Sequence, residues 1–182
     1  MNSTQYQVDQ REIKFVVLEW LKAEKLCEMP NFSEFDKETF RMIIKESSNF
    51  SEQVLAPINE NGDRQGCRIK NGAVITPDGF QSAWKHFGEG GWLSMNSPPE
   101  YGGQGLPELI SVIGKETQLA ANQGFTVGAS LTSGASNLIY LFGSKEQKNI
   151  YCEKMYSGKW SGTMCLTEPH AGTAVGDANT KA

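Results

Sequence analysis

A chain of 182 residues is sized for one domain, or one and a fraction, and is long enough to bury a core. Apolar residues at 38% and charged residues at 21% are ordinary for a globular protein, and a net charge of −4 with scattered Lys and Arg excludes a nucleic-acid binder. No apolar run approaches membrane-spanning length, and Met1–Arg11 lacks the apolar core of a signal peptide, so the expected setting is cytoplasmic.

In chain order, the first helix is predicted over Asp9–Glu24. Ile13, Val16, Val17, Trp20 and Leu21 recur at helical spacing and make one apolar face. Lys25–Phe35, with Pro30, reads as a linker. Asp36 caps a second helix reaching about Ala56, with Phe40, Ile43, Ile44, Phe50 and Val54 inward and Pro57 beyond its end. Asn59–Thr76 is polar and irregular, with turns at Asn61-Gly62 and Asn71-Gly72 and a short extended piece at Ala73–Ile75. Thr76-Pro77 opens a third helix, Thr76 as cap and Pro77 in its first turn. Phe80, Trp84 and Phe87 give that helix its core face, and Gly88, Gly90 and Gly91 end it.

Ser97–Pro107 is a Gly/Pro loop, read from composition as a flexible turn. A fourth helix follows over Pro107–Asn122, with Leu109, Ile110, Ile113 and Ala120 inward. A fifth spans Phe125–Phe142 and is rich in Ala, Ser, Thr and Gly, a composition that permits close packing or lines a cavity. Ser144-Lys145-Glu146-Gln147 is a capping box opening a sixth helix to about Ser157. Trp160–Thr167 reads as a strand ending at Pro169, and a lone strand needs a partner.

Few residues carry chemistry on their own. The four cysteines (Cys27, Cys67, Cys152 and Cys165) are far apart and the chain has two histidines, so no zinc site is expected and the thiols are read as reduced. The Gly102-Gly103-Gln104-Gly105 run follows no strand and lacks dinucleotide spacing; Gly114-Lys115 sits inside a helix and lacks the following Ser or Thr of a phosphate loop. His170 has no triad partner and reads as a solvent-facing loop residue. Glu168 is open to two roles, general base or acceptor of backbone amides that holds the turn beside Pro169; the second is favoured. Thr167 places a hydroxyl at the last strand position beside exposed amides, a combination suited to a planar heterocycle with amide-like edges.

Taken as a block, Gly162-Thr163-Met164-Cys165-Leu166-Thr167-Glu168-Pro169-His170-Ala171-Gly172-Thr173 resembles the flavin-contacting signature of the acyl-CoA dehydrogenases. Pro99-Glu100-Tyr101-Gly102-Gly103-Gln104-Gly105-Leu106 resembles that family's loop between early helices. Gly143-Ser144-Lys145-Glu146-Gln147-Lys148 with Gly158-Lys159-Trp160 resembles its approach to the first strand. Phe15-Val16-Val17, Val54–Asn59 and Gly62–Cys67 resemble a subgroup with an added N-terminal segment, which includes 3-methylmercaptopropionyl-CoA dehydrogenase-like enzymes.

The resemblance implies a mainly α fold: the N-terminal helical domain of the acyl-CoA dehydrogenases plus the first strand of their middle β-domain. It implies an extension helix and linker over 1–35, the helical domain over 36–159, and the start of a truncated β-domain over 160–182. It further implies FAD as cofactor and α,β-dehydrogenation of an acyl-CoA with hydride transfer to flavin N5. The expected partners are the acyl-CoA substrate, an electron-transfer flavoprotein and further copies of the parent chain, with no metal.

Met164, Leu166, Thr167, Gly172 and Thr173 are the implied flavin contacts. Thr173 stands where serine is usual and keeps the hydroxyl; Ala174 stands where aspartate is usual; Asn179 falls where several relatives carry a basic residue. The catalytic glutamate of the family is not among these residues, so no catalytic residue is assigned and the chain alone is expected to be an inactive fragment. The rival expectation is a stand-alone, non-catalytic helical interaction module.

Overall fold

The computed structural model describes residues 6–181, a helical assembly with a two-stranded hairpin set into it. Helix α1 (Gln10–Lys14) starts where Asp9 accepts the amides of Arg11 and Glu12. It then widens into a π-helical turn over Phe15–Trp20, with Leu21 N–H donating to Val16 C=O at 2.9 Å. The wider turn rotates the phase of the side chains. Val17 and Leu18 therefore become the buried pair, while Trp20, expected on the inner face, is 69% exposed. The segment ends at Lys22, whose φ of 54° is left-handed, and two 3₁₀ turns (Ala23–Glu28 and Pro30–Phe32) fill the expected linker.

Helix α2 (Lys37–Phe50) is capped by Asp36, as its sequence indicates. It does not stop near Ala56. A second π turn over Ser51–Leu55 carries it into α3 (Ala56–Gln65). Pro57 sits in the first turn of α3, where its missing N–H costs little because the widened turn has already displaced the hydrogen-bond ladder. Asn61-Gly62 is therefore helical and not a turn. Gly62 is bare for a packing reason: a β-carbon there would lie 2.6 Å from the Phe80 ring.

Strands β1 (Arg68–Lys70) and β2 (Ala73–Ile75) pair antiparallel across Asn71-Gly72, both with positive φ, which is the geometry that dipeptide favours. Helix α4 (Phe80–Glu89) is capped by Gly79, φ +87°, and not by Thr76; the side chain of Gln65 on α3 holds Asp78 and fixes the entry.

The loop after α4 is not a flexible turn. The amides of Gln104, Gly105 and Leu106 donate to the carbonyls of Ser94, Ser97 and Met95 at 3.0, 2.9 and 2.8 Å. Tyr101 and Leu106 are buried within it. Helices α5 (Glu108–Ala121), α6 (Gln123–Phe142) and α7 (Lys145–Tyr156) follow, α2 against α5 and α6 against α7 being the most extensive pairings.

Two large apolar clusters make most of the core, beside a smaller one of Tyr101, Cys152 and Tyr156. One gathers Val17, Leu18, Phe40, Ile44, Met95, Leu106 and Ile110; the other gathers Leu55, Ala83, Phe87, Leu93, Phe125 and Ala129. Between α2 and α5 the seam is polar. Ser47, Thr117 and Gln118 are buried there, with Ser47 Oγ 2.8 Å from Thr117 Oγ1 and donating to Gly114 C=O at 3.1 Å. The inward face of α5 thus differs from the apolar one expected: Ala120 is exposed, and Ser111, Gly114 and Thr117 point in.

The capping box at α7 is complete, Ser144 Oγ accepting from Gln147 N–H at 3.2 Å and Gln147 Oε1 from Ser144 N–H at 2.8 Å. Ser144→Ala is expected to cost about 1 kcal/mol of unfolding free energy, read from denaturant titration. A loss under about 0.3 kcal/mol would show that the cap adds nothing there.

Candidate functional site

After α7 the chain leaves the helices through Gly158, which has positive φ and accepts the Trp84 indole N–H at 2.8 Å. Gly162 N–H donates to Thr132 Oγ1 on α6 at 3.1 Å. A β-carbon at Gly162 would lie 2.5 Å from that of Ala135, so the tail runs hard against the helix. From there to Thr167 the predicted strand is absent among the described residues. A strand exists through a partner's ladder, and no described segment lies alongside 163–167 to supply one. The backbone N–H and C=O groups of this stretch consequently engage no partner among the described residues, and the Thr167 hydroxyl is likewise free.

The chain then folds back on itself. Glu168 and Ala171 form an antiparallel bridge, amide to carbonyl in both directions at 2.9 and 3.1 Å, around Pro169-His170. This brings Thr167 and Gly172 to neighbouring positions on either side of the bridge. Gly172 has open space where a side chain would stand, and Thr173 is exposed. Met164 and Leu166 are exposed at 64% and 42%, high for apolar side chains, and mark an uncovered face. Of the five residues expected at a flavin, Met164, Leu166 and Thr167 lie on the exposed strip before the bridge, and Gly172 and Thr173 on the exposed return after it.

Glu168 takes the role favoured from sequence. Its carboxylate accepts from the amides of Asn179 and Thr180 at 2.9 and 2.8 Å, and from the Thr180 hydroxyl. Those bonds, the hydroxyl's first, hold its pKa below the usual carboxylate range. A carboxylate tied up in this way is poorly placed as a general base. His170 is half exposed, as expected of a loop histidine, and meets the Asn179 side chain at 2.8 Å. The four cysteines form no disulfide.

The second element of the site is a cavity of about 530 Å³ between the end of α4, α5 and α6. Phe87, Trp92 and Leu119 supply apolar wall; Gln118, Thr126 and Ser130 supply polar wall. The Thr126 and Ser130 hydroxyls donate back into α6, to the carbonyls of Asn122 and Thr126, and so leave lone pairs to face the space. One face of α6 lines this cavity while another, through Thr132 and Ala135, grips the tail. Sequence reading found the small-residue helix but not Gln118, Phe87 or Trp92, because their convergence is tertiary. A larger groove of about 970 Å³, lined by Asn59, Glu60, Asp63, Cys67, Glu116 and Gln123, meets α6 only at its first turn, away from Thr132 and Ala135 that hold the tail. Its acidic rim opposes an anionic ligand, so it is not taken as the site.

The tail fits a planar cofactor on these observations: free backbone donors and acceptors, a free hydroxyl, glycine where a ring must approach, and no protein atoms covering the strip. Among the described residues, no helix is long and apolar enough to cross a membrane.

Known proteins resemble the chain in sequence and in fold. The sequence profile described as "Acyl-CoA dehydrogenase, N-terminal domain" matches residues 37–159. The chain is 36% identical over 171 residues to 3-methylmercaptopropionyl-CoA dehydrogenase of Ruegeria pomeroyi, covering 92% of this chain and 29% of that protein. It is 34% identical over 183 residues to a butyryl-CoA dehydrogenase of Syntrophomonas wolfei, covering 97% and 29%. Among solved structures, an acyl-CoA dehydrogenase complexed with FAD from Bacillus anthracis superposes with a TM-score of 0.65 at 29% identity, covering 80% of this chain and 23% of that one. Butyryl-CoA dehydrogenase from Megasphaera elsdenii superposes at 0.64, with 24% identity and 78% and 35% coverage, a likeness of fold. The chain spans about 29% of the length of the curated relatives it matches. It belongs to the acyl-CoA dehydrogenase family and has the fold of that family's N-terminal helical domain.

Proposed function

We propose that these residues serve an FAD-dependent acyl-CoA dehydrogenase that introduces an α,β double bond into an acyl-CoA thioester. The observation that carries the reading is the bare strip 163–167 with its return at Gly172 and Thr173, held on the helix that also lines the cavity. The chain divides into an extension over 1–35, the helical domain over 36–159, and a segment over 160–182 that joins a β-domain.

In this reading Met164 and Leu166 lie against the flavin. Thr167 hydrogen-bonds its edge through hydroxyl or backbone, and Gly172 and Thr173 sit where flavin and thioester meet. The cavity between α5 and α6 receives part of the acyl chain and keeps water from it. The flavin, when bound, supplies the oxidising power, accepting hydride at N5. This chain contributes position: it fixes one wall against which substrate and ring are oriented. No residue here is assigned the proton abstraction, so the chain alone is expected to be colourless and inactive. Electrons pass on to an electron-transfer flavoprotein, and the parent acts in the cytoplasm as a homo-oligomer. Exposed Leu138, Leu141 and Phe142, the last at 81%, belong to surface that the rest of the parent covers.

The test is optical. Full-length protein containing this chain is expected to purify yellow and to lose its visible flavin band anaerobically on addition of an acyl-CoA. A colourless protein that takes up no FAD overturns the reading.

A further inference from the structure

Glu168 sits in a run of exposed residues, yet its side chain is only 15% exposed; it lies 3.4 Å from His170 Nε2 inside the turn, and its hydrogen bonds cross the loop. Its own backbone closes the tight turn with Ala171. Its side chain reaches residues 179 and 180, binding two consecutive amides and one hydroxyl. His170, inside the turn, meets with its single Nε2 either the Asn179 side chain at 2.8 Å or the Asp177 carbonyl at 3.3 Å, and in either case fastens the same neck from the other side. Ala171 is 3% exposed and plugs the turn. Between these fastenings, 172–178 is exposed; apart from the Asp177 carbonyl facing His170, its hydrogen bonds are short-range, from Val175 N–H to Thr173 C=O, Asp177 N–H to Ala174 C=O and Ala178 N–H to Val175 C=O.

The loop is therefore closed at its neck and open at its tip. Without the neck, a stretch with two glycines and no core contacts would sample many conformations. Binding a ligand to it would then carry the cost of ordering it.

We propose that Glu168 is a positioning residue: by latching Asn179 and Thr180 it preforms the loop 168–180, so that Thr167, Gly172 and Thr173 stand ready for the cofactor before it arrives. The proposal rests on the flavin reading given above and assigns Glu168 no contact with flavin or substrate. Charge matters to the latch, because three donors converge on one carboxylate. Glutamine at this position keeps the shape, loses the charge, and turns an NH₂ toward donors. Thr180→Val removes a single donor and leaves both amides.

The experiment uses the full-length protein, wild type, Glu168→Gln, Glu168→Asp and Thr180→Val, each prepared with and without FAD. Amide hydrogen exchange of the flavin-free forms is expected to accelerate across 172–180 in Glu168→Gln and to change less in Thr180→Val. FAD dissociation constants are expected to rise roughly tenfold in Glu168→Gln and by a smaller factor in Thr180→Val. Glu168→Asp, which keeps the charge with a shorter reach, is expected to recover part of both effects. Thermal unfolding of the helical domain is expected to be unchanged, since the tail lies outside the core clusters. Wild-type exchange and unchanged FAD affinity in Glu168→Gln overturn the latch and leave the flavin reading standing. A fall in melting temperature that matches the loss of affinity also overturns it, in favour of general destabilisation. If the wild type binds no FAD, the flavin reading fails, and the exchange rates of the flavin-free forms still decide whether the latch exists.

Discussion

Phe87→Ala is expected to lower the unfolding free energy by about 3–5 kcal/mol. Phe87 is 3% exposed and central to the aromatic cluster, with ring centroids 5.8 Å from Phe50, 6.4 Å from Trp84 and 5.5 Å from Phe125. Those neighbours come from α2, α4 and α6, so the void cannot be filled by shifting one element. Part of the loss is transfer free energy and part is cavity, because rings wedged against one another relax poorly. Denaturant unfolding followed by tryptophan fluorescence reads it directly, since Trp84 and Trp92 pack in the same cluster. Trp20→Ala is the control: at 69% exposure it is expected to stay within about 0.5 kcal/mol of wild type. Equal losses from the two substitutions would mean the core lies elsewhere. Phe87 also walls the cavity, so its truncation should enlarge that space and loosen acyl-CoA binding in the parent.

Gly103→Ala carries the second large effect, expected at about 3 kcal/mol or more. A β-carbon at Gly103 would stand 2.2 Å from the Ser97 carbonyl oxygen and 2.3 Å from its carbon. These are backbone atoms, and they are held by the hydrogen bond from Gly105 N–H to that same carbonyl at 2.9 Å. Relief would require breaking the clasp between 94–97 and 104–106, which seats Leu106 in the first core cluster. The contrast is Gly128→Ala in α6, where nothing lies within 4 Å of the new carbon. There the substitution is expected to be neutral or to stabilise by about 0.5–1 kcal/mol, because alanine has less backbone freedom to lose. Thermal denaturation of both variants checks the pair, and a Gly103→Ala protein as stable as wild type would refute the packing argument.

The domain is legible in the sequence wherever its signals are local. Ser144 and Gln147 cap α7 in the expected way, Asn71-Gly72 turns the hairpin, and Pro107 precedes α5. The N-terminal half is less so, because two π turns answer to packing and leave no local mark. The first buries Leu18 in place of Trp20, and the second lets the chain run helical past Pro57. Gly62 looks like a turn former, yet it makes room for the ring of Phe80 on the next helix, a reason invisible until α3 and α4 meet.

The candidate site divides in the same way. The run Met164–Thr173 is contiguous and could be recognised as a block. The strand expected there is not a local property, and without a ladder it does not form. The hold of Glu168 on Asn179 and Thr180 closes a loop of intervening small residues, and no spacing rule announces it. Gln118, Trp92 and Phe87 converge on the cavity from α5, from the segment after α4, and from α4 itself, which only the packed structure brings together.

The tail is proposed to be a flavin wall on a helical domain of the acyl-CoA dehydrogenase family. Hydrogen exchange of the full-length protein with and without FAD tests it most directly. Bound FAD is expected to protect peptides spanning 162–180, where the amides of 163–167 have no partner among the described residues, and to leave the exposed hairpin 68–75 unchanged. Protection that appears at the hairpin or nowhere in this chain, while 162–180 exchanges at the same rate in both states, would contradict it.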